Sequence, residues 1–203
     1  MIIHECSQPA RVPAEAALPL DGRFLSARGH LIVNRLVAAG DVDPIAELLT
    51  GLSARSLYLR YGLPMPRMSP ESAAREAARL AQSRSAHHLS AVAIACSRGQ
   101  EQVIGVAELA REPGRAAVPE IALVVADAYQ REGIGSALCA FLVGLARREG
   151  LAALRAMALA ENTAVRRMVA RSGAPYTAET RHGMTTIQID LRGASSANGL
   201  AAA

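Results

Sequence analysis

The stretch "YQREGIGSAL", residues 129–138, carries two glycines two residues apart. Residues 119–127 before it, "PEIALVVAD", form a nearly continuous apolar run, which is typical of a strand buried on both faces. After the glycines, apolar residues recur at helical spacing from Ile134 to Leu145, and Gly150 ends the pattern. The stretch therefore predicts a central strand, a short loop and a helix, and it raises the question of what the bare loop backbone contacts.

The first turn of the predicted helix is nearly free of side chains, because it contains Gly133, Gly135 and Ser136. The first N–H groups of a helix have no partner within it and lie at the positive end of its dipole. A pyrophosphate could accept several of these hydrogen bonds, and Arg131, beside Gln130 at the loop entrance, could add a charge-assisted bond. The alternative is a glycine turn that only lets a helix begin close to the sheet.

Spacing separates this loop from two other phosphate-binding motifs. A P-loop requires a lysine after its second glycine, and the chain has none there. A dinucleotide-binding loop requires a third glycine where the chain has Leu138, and an acidic residue at the end of the next strand, which reads "MAL". A nucleotide-binding protein is therefore a weak alternative.

The first third of the chain predicts one strand and three helices after an N-terminal arm. Residues 1–19 carry three prolines and no clear periodicity, so we assign them to the arm and residues 20–191 to a single domain. A strand is predicted over residues 30–37. Helices are predicted from Asp43 with Pro44 in the first turn, from Ser53 to Gly62, and from Ser69 with Pro70 to about residue 84.

In the middle of the chain, the apolar pattern changes from helical spacing to the spacing of strands. The elements predicted from there on complete a mixed sheet. The predicted elements are an antiparallel hairpin of residues 89–97 and 102–110, the central strand and its helix, a strand over 151–159, a helix over 161–173 and a closing hairpin turned at Gly183. Val165, Met168 and Val169 are predicted to face inward. The tail, residues 192–203, has low complexity and is predicted to be disordered. The fold class is α/β, an α+β mixed sheet with helices on its faces.

Composition narrows the classes of function. Apolar residues make up 51% of the chain and charged residues 20%, which excludes a disordered chain. Aromatic residues are 3% with no tryptophan, so binding that stacks bases is disfavoured and no nucleic-acid partner is expected. The formal charge of +4 fits an anionic partner or a solvated basic surface. The sequence shows no leader and no long apolar run, which predicts a cytoplasmic protein without a membrane partner.

Cysteine and histidine spacing predicts no metal site. The cysteines, Cys6, Cys96 and Cys139, lie far apart and form no C-x-x-C motif, so neither a disulfide framework nor a metal cage is expected. Cys139 is predicted to face away from the apolar stripe of its helix. His87 and His88 are predicted to be a surface pair.

Gln130, Gly133 and Gly135, after an apolar strand, resemble motif A of the GNAT superfamily of acyl-CoA-dependent N-acyltransferases, whose pattern is Q/R-x-x-G-x-G/A. The order of elements over residues 20–191 is similar as well. The resemblance implies a GNAT-like fold, with a central, mostly antiparallel sheet splayed at the motif strand and helices on both faces. Residues 52–62, "LSARSLYLRYG", further resemble a segment of the branch that contains bacterial protein-lysine acetyltransferases.

The resemblance also implies acetyl-CoA as co-substrate, lying in a gap between the motif strand and the strand after it. Its phosphates would sit on the glycine loop, and its pantetheine arm would pair with the backbone of the motif strand. Asn162 could hydrogen-bond that arm or only cap its helix. The implied cofactor-binding residues are Val124, Val125, Gln130, Arg131, Glu132, Gly133, Ile134, Gly135, Ser136 and Asn162.

The implied acceptor is an amine, and an amine such as lysine, with a pKa of about 10.4, arrives protonated. Glu120 matches a glutamate that acts as base, often through water, in several members, whereas the alternative is a strand-end glutamate facing solvent. Glu108 is the reserve candidate. Many members protonate the leaving thiolate from a tyrosine seven residues after the equivalent of Asn162, and this chain has Val169 there.

The sequence therefore predicts an N-acetyltransferase in which the amine attacks acetyl-CoA directly, without a covalent enzyme intermediate. A protein lysine is the first-ranked acceptor, and a small-molecule amine is the next. The rival hypothesis is a non-catalytic acyl-CoA-binding sensor or partner module, which the missing tyrosine favours. The sequence leaves a homodimer open.

Overall fold

The structure of the chain is a computed structural model. It describes residues 22–82, 84–85, 88–97, 99–111, 118–172 and 174–192. The predicted arm, residues 1–19, the predicted tail beyond Arg192, and His87 lie outside the described residues.

The described residues form nine strands and five α-helices. The strands are β1 (Arg23–Leu25), β2 (Leu31–Leu36), β3 (Arg84–Ser85), β4 (His88–Ser97), β5 (Gln100–Ala110), β6 (Glu120–Val125), β7 (Ala153–Leu159), β8 (Tyr176–Arg181) and β9 (Met184–Asp190). The helices are α1 (Val42–Thr50), α2 (Ala54–Tyr61), α3 (Pro70–Ala81), α4 (Ile134–Arg148) and α5 (Thr163–Arg171). Within this part of the chain, no helix is both long and apolar enough to cross a membrane.

One sheet contains all the strands, in the order β1-β2-β4-β5-β6-β7-β9-β8, with β3 paired to β4. Every pair is antiparallel except β6 and β7. Helices α1, α2 and α3 cover one face, where Leu49 and Leu57 pack on Val106 and Val124. Helices α4 and α5 cover the other face. The expected mixed sheet with helices on both faces is therefore confirmed.

The sheet opens between β6 and β7. The ladder between them has one Cα pair, Glu120 opposite Arg155, together with a hydrogen bond of 2.8 Å from the Arg155 N–H to the Pro119 carbonyl. Beyond this point no ladder joins the described residues 121–125 to 156–159. Strand β6 keeps its full antiparallel pairing with β5 on its other side. The predicted splay at the motif strand is therefore confirmed, and it leaves one edge of β6 open.

The caps of α2 and α3 follow the sequence signals. Ser53 and Ser69 each accept a hydrogen bond from the backbone N–H three residues later, at 3.2 Å. Gly62 ends α2 in the left-handed conformation, with φ of +71°, which glycine adopts without steric cost. The predicted hairpin of β4 and β5 and the closing hairpin at Gly183 are also confirmed.

Several boundaries differ from the sequence prediction, and two short strands, β1 and β3, were not predicted. Helix α1 begins at Val42 because Asp41 turns its carboxylate back to the Ala38 N–H, at 2.7 Å, so Asp43 lies in the first turn instead of at the cap. Helix α3 ends at Ala81, before residue 84. Strand β7 begins two residues later than predicted. Strand β1 was not predicted, because three residues are too short to show a period.

Candidate functional site

A cavity of about 580 Å³ lies where β6 and β7 separate. Its walls come from β6, the following loop, the first turn of α4, β7, the start and inner face of α5, and one side of α2. The expected cofactor-binding residues that line it are Val124, Val125, Gln130, Arg131, Gly133, Gly135, Ser136 and Asn162. Glu120, Glu132 and Ile134 are not among its lining residues.

Two residues of the glycine loop have left-handed backbone conformations. Gly133 precedes α4 with φ of +87°, a conformation that residues with a Cβ rarely adopt. Arg131 has φ of +64°, which is uncommon and costly for a non-glycine residue. A Cβ on Gly135 would lie 2.9 Å from Sδ of Met168 on α5. Gly135 therefore keeps the space between the first turn of α4 and Met168 clear.

The Gln130 side chain joins two walls of the cavity. Its Nε2 donates to the Val125 carbonyl at the end of β6, at 3.0 Å, and to Oγ of Ser56 on α2, at 2.9 Å. Gln130 thereby fixes the path of the chain between β6 and the glycine loop. It also fixes the position of α2 relative to that loop.

Asp127, which sequence reasoning missed, anchors the start of α2 to the same loop. Its carboxylate accepts hydrogen bonds from the Ser53 N–H at 2.9 Å, from Ser53 Oγ at 2.6 Å and from Ser56 Oγ at 2.8 Å. Burial alone would raise the pKa of Asp127, but these hydrogen bonds hold it below its ordinary value of 3.8. The signal was available as an acidic residue directly after the apolar strand.

Glu120, the expected base, lies at the point where β6 and β7 part. Its Oε2 is 3.2 Å from Nη2 of Arg155, and both side chains are about one third exposed, at 36% and 29%. Alternation along β6 places Glu120 on the same face as Val124, the face covered by α1, α2 and α3. The carboxylate is neither buried nor freely solvated, and the lining of the cavity begins at the next residue, Ile121.

Glu108, the reserve candidate, lies at the centre of a set of paired charges that we call the Glu108 cluster: Glu108, Arg60, Arg79 and His88. Arg60 donates to its Oε1, Arg79 donates to both oxygens at 2.8 and 3.0 Å, and His88 Nε2 lies 2.9 Å from Oε2. Burial alone would raise the pKa of Glu108, but the bonds from His88 and Arg79 and the charge of Arg60 hold it far below its ordinary value of 4.5. A carboxylate so occupied is poorly suited to act as a base.

Two orientation predictions were wrong. His88 is not a surface residue, since its side chain is 22% exposed and contacts Glu108. Cys139 does not face away from the apolar stripe of α4, because it is buried in the core and lines the cavity. Burial raises the pKa of the Cys139 thiol to about 12, so it carries no thiolate near neutral pH.

Helix α5 contributes Val165, Met168 and Val169 to the cavity wall, and Asn162 lines it just before the helix. Asn162 occupies the N-cap position, yet in the described structure its side chain makes no capping hydrogen bond. Val169, at the position where the resemblance to motif A members implies a tyrosine, is buried and offers the cavity no hydroxyl group. The three large apolar residues of α5 face inward, as predicted. Val169 packs in the core, and Val165 and Met168 are half-buried.

The cavity has an excess of positive charge. Arg131, Arg167 and Arg171, which we call the cavity arginines, line it, and none has an ion-pair partner among the described residues. Among the described residues that line the cavity, Glu161 carries the one carboxylate, and Arg55 of α2 pairs with it at 2.8 Å. Sequence reasoning missed Arg167 and Arg171, although their spacing of four residues on α5 places them on one helix face. The arrangement favours a polyanionic ligand.

Comparison with known proteins agrees with this geometry. A profile of the family described as "Acetyltransferase (GNAT) domain" matches residues 30–175. Acetyltransferase Pat of Mycolicibacterium smegmatis is 35% identical to the chain over 89 residues, which make up 44% of this chain and 26% of that protein. The matched segment therefore spans about a quarter of that relative.

Solved structures give the same result for the fold. The GNAT domain of S. lividans PAT superposes with a TM-score of 0.69 at 20% identity, over 84% of this chain and 97% of that one. A cAMP-binding acyltransferase from Mycobacterium smegmatis superposes with a TM-score of 0.53 at 27% identity, over 83% of this chain and 46% of that one. Because the family profile covers most of the chain and the fold is shared, the chain belongs to the GNAT acetyltransferase family.

Proposed function

We propose that this protein transfers an acetyl group from acetyl-CoA to an amine by direct attack in a ternary complex. The observation that carries the proposal is the cavity at the β6–β7 splay, with the three cavity arginines on its wall. Membership of the GNAT family implies use of an acyl-CoA. Coenzyme A carries a pyrophosphate and a further phosphate, so its charge matches the three cavity arginines, which have no carboxylate partner among the described residues.

The residues present fit this co-substrate, which supplies the activated acyl group as a thioester. The N–H groups at the start of α4, from Gly133 to Ser136, would bind phosphate oxygens, with Arg131 at the loop entrance. The open edge of β6 would pair with the pantetheine arm through the backbone of Val125, whereas the backbone groups of Val124 point toward Val106 of β5. A backbone N–H on this edge would also stabilise an oxyanion that develops during attack. Asn162, which does not cap α5, is available to hydrogen-bond the arm.

Glu120 is the proposed base, which would take a proton from the incoming ammonium group directly or through water. Its carboxylate lies at the start of the splay, where the ion pair with Arg155 orients it. The Glu108 cluster leaves Glu108 unavailable for this task. Glu120→Gln should lower the rate by roughly 10²- to 10⁴-fold and remove the rise of the rate with pH. An unchanged pH–rate profile would remove Glu120 from the mechanism.

The proposed acceptor is a protein lysine. Residues 52–62, which resemble a segment of the protein-lysine acetyltransferase branch, form α2 and its caps. Ser56, Leu59 and Arg60 of that helix line the cavity, so this segment belongs to the site. A small-molecule amine is the alternative acceptor. The cytoplasmic location and the absence of nucleic-acid and membrane partners stay predictions.

A non-catalytic acyl-CoA-binding module is the second candidate function, and Val169 is the observation that favours it. No hydroxyl group stands at this position to protonate a leaving thiolate. A coenzyme A thiolate is a tolerable leaving group and water can protonate it, so we rank catalysis first.

The experiment that separates the two functions follows the release of free thiol from acetyl-CoA in the presence of lysine peptides and small amines. Calorimetry with coenzyme A is run in parallel on the same protein. Acceptor-dependent thiol release supports the acetyltransferase, and coenzyme A binding without any release supports the module. If coenzyme A does not bind, both proposals are wrong.

A further inference from the structure

The turn between β1 and β2, residues 26–30, lies against the glycine loop although about 100 residues separate the two in sequence. The Ala27 N–H donates to the Glu132 carbonyl at 3.1 Å, and Arg28 Nη1 lies 3.4 Å from the Ala128 carbonyl. The rings of His30 and Tyr129 meet edge to face, with centroids 5.4 Å apart. None of residues 26–30 lines the cavity. This turn therefore supports the loop from behind.

Glu132 is the centre of this contact. Its side chain is 1% exposed, although it lies in a surface loop. Ser26 Oγ donates to Oε2 at 2.6 Å, and His30 Nδ1 lies 2.9 Å from the same oxygen. Arg28 Nη1 lies 3.4 Å from Oε1, which is close enough for an ion pair. Among the described residues, Oε1 accepts no hydrogen bond. Burial alone would raise the pKa of Glu132, but the bonds from Ser26 and His30 hold it below its ordinary value.

Glu132 points away from the cavity that its neighbours in the loop line. Arg131 and Gly133 line the cavity on either side of Glu132, which points into the protein. Arg131 has the costly φ of +64°, and such a conformation persists only where surrounding contacts enforce it. The contacts next to it are those of Glu132 with Ser26 and His30. The buried carboxylate thus stabilises the strained residue that precedes it.

We propose that Glu132 is a positioning residue for coenzyme A binding, and that Ser26 and His30 complete its anchor. The anchor holds the loop in the shape that turns Arg131 and the first N–H groups of α4 toward the phosphates. This inference rests on the proposed function, because it assigns the phosphates of coenzyme A to this loop. It gives Glu132, which the sequence placed among the cofactor-binding residues, an indirect role through its buried side chain.

The test compares the full chain with Glu132→Ala, Glu132→Gln and Ser26→Ala. Glu179→Ala is the matched control, because Glu179 is also ion-paired but lies exposed on β8, away from the cavity. For Glu132→Ala the dissociation constant for coenzyme A should rise roughly 10- to 100-fold, because buried hydrogen-bonding groups lose their partner. Glu132→Gln and Ser26→Ala should raise it by roughly 3- to 10-fold, and the control should leave it unchanged.

Steady-state kinetics separate positioning from a general loss of structure. The KM for acetyl-CoA should rise with the dissociation constant, while kcat at saturating acetyl-CoA and the KM for the amine stay within about threefold of the wild type. The double variant Ser26→Ala with Glu132→Ala should bind coenzyme A no more weakly than Glu132→Ala alone, because both changes break one contact. If Glu132→Ala does not fold, Glu132→Gln and Ser26→Ala still carry the test.

The outcomes distinguish this inference from the function on which it rests. Wild-type affinity in all three variants would overturn the positioning role alone. A fall in kcat with unchanged affinity would overturn it as well. Failure of the wild-type protein to bind coenzyme A would overturn the proposed function first, and this inference with it.

Discussion

The two groups of arginines around the sheet differ in how their charge is balanced. In the Glu108 cluster, Arg60 and Arg79 share a buried carboxylate, and Arg79 also pairs with Glu76. The cavity arginines have no ion-pair partner among the described residues. Charges that a fold needs for its own stability are paired within the chain, whereas charges left unpaired on a concave wall remain available to a ligand. The contrast separates arginines whose charge is balanced within the fold, among which Arg60 also lines the cavity, from arginines whose charge is available to a ligand.

The largest effect is expected where a paired charge is removed. Glu108→Gln should lower the free energy of unfolding by about 3–5 kcal/mol, because it leaves partly buried arginines without their carboxylate. Urea denaturation at neutral pH measures this loss. Glu179→Gln, which removes an exposed pair on β8, should change the stability by less than about 1 kcal/mol. Equal effects of the two variants would show that the Glu108 cluster contributes no more than a surface pair.

The next effect is expected at the wall of the cavity. Gly135→Asp should weaken coenzyme A binding by more than roughly 100-fold, because a carboxylate would face the phosphates at the start of α4. Gly135→Ala is the control, since its methyl group meets the flexible Met168 side chain without adding charge. Calorimetry should show a much smaller loss for alanine. If aspartate binds coenzyme A as alanine does, the phosphates do not lie at this turn.

Acid should reduce the difference in the free energy of unfolding between the wild type and Glu108→Gln. The pKa of Glu108 is lowered in the folded chain, so its contribution to stability is complete above its ordinary value of 4.5 and is lost as pH falls below it. Each pH unit below that value removes about 1.4 kcal/mol, so the two proteins should differ by about 2 kcal/mol less at pH 3 than at pH 7. Urea denaturation at both pH values measures the change. A difference that does not vary with pH would exclude the ionised carboxylate as its cause.

The smallest effect is expected for single cavity arginines. Arg167→Ala and Arg171→Ala should each weaken coenzyme A binding by roughly 3- to 10-fold, because a solvated guanidinium contributes modestly to binding a phosphate. Each change should also reduce the dependence of the affinity on salt. Arg148→Ala, at the far end of α4 and outside the cavity lining, is the control and should leave both unchanged. Stability should be the same in all three variants, in contrast to Glu108→Gln.

Local signals in the sequence were enough to predict most of the fold. The glycine loop, its flanking strand and helix, and the caps at Ser53 and Ser69 depend on residues close together in the chain. The splay was implied by the resemblance of the loop to motif A, not by the apolar pattern of β6, which is the same for a strand paired on both edges. The fold and the location of the cavity were therefore predictable together from one segment.

The direction of individual side chains was less predictable, because it depends on elements distant in sequence. Glu132 points inward because the turn at Ser26 supplies its partners, and nothing near the glycine loop indicates that turn. The Glu108 cluster joins residues of α2, α3, β4 and β5, so no single window contains it. Cys139 is buried because α4 packs against both the sheet and α5, which widens its apolar face beyond one stripe.

The two hydrogen bonds of the Gln130 amide have a consequence for how the substrates bind. One bond holds the strand that would receive the pantetheine arm, and the other holds α2, which lines the cavity and would contact the proposed acceptor. A shift of the loop on binding of the first substrate would be transmitted to α2 through this amide. We therefore expect the affinity for the amine to depend on whether coenzyme A is already bound, and the coupling to be reciprocal.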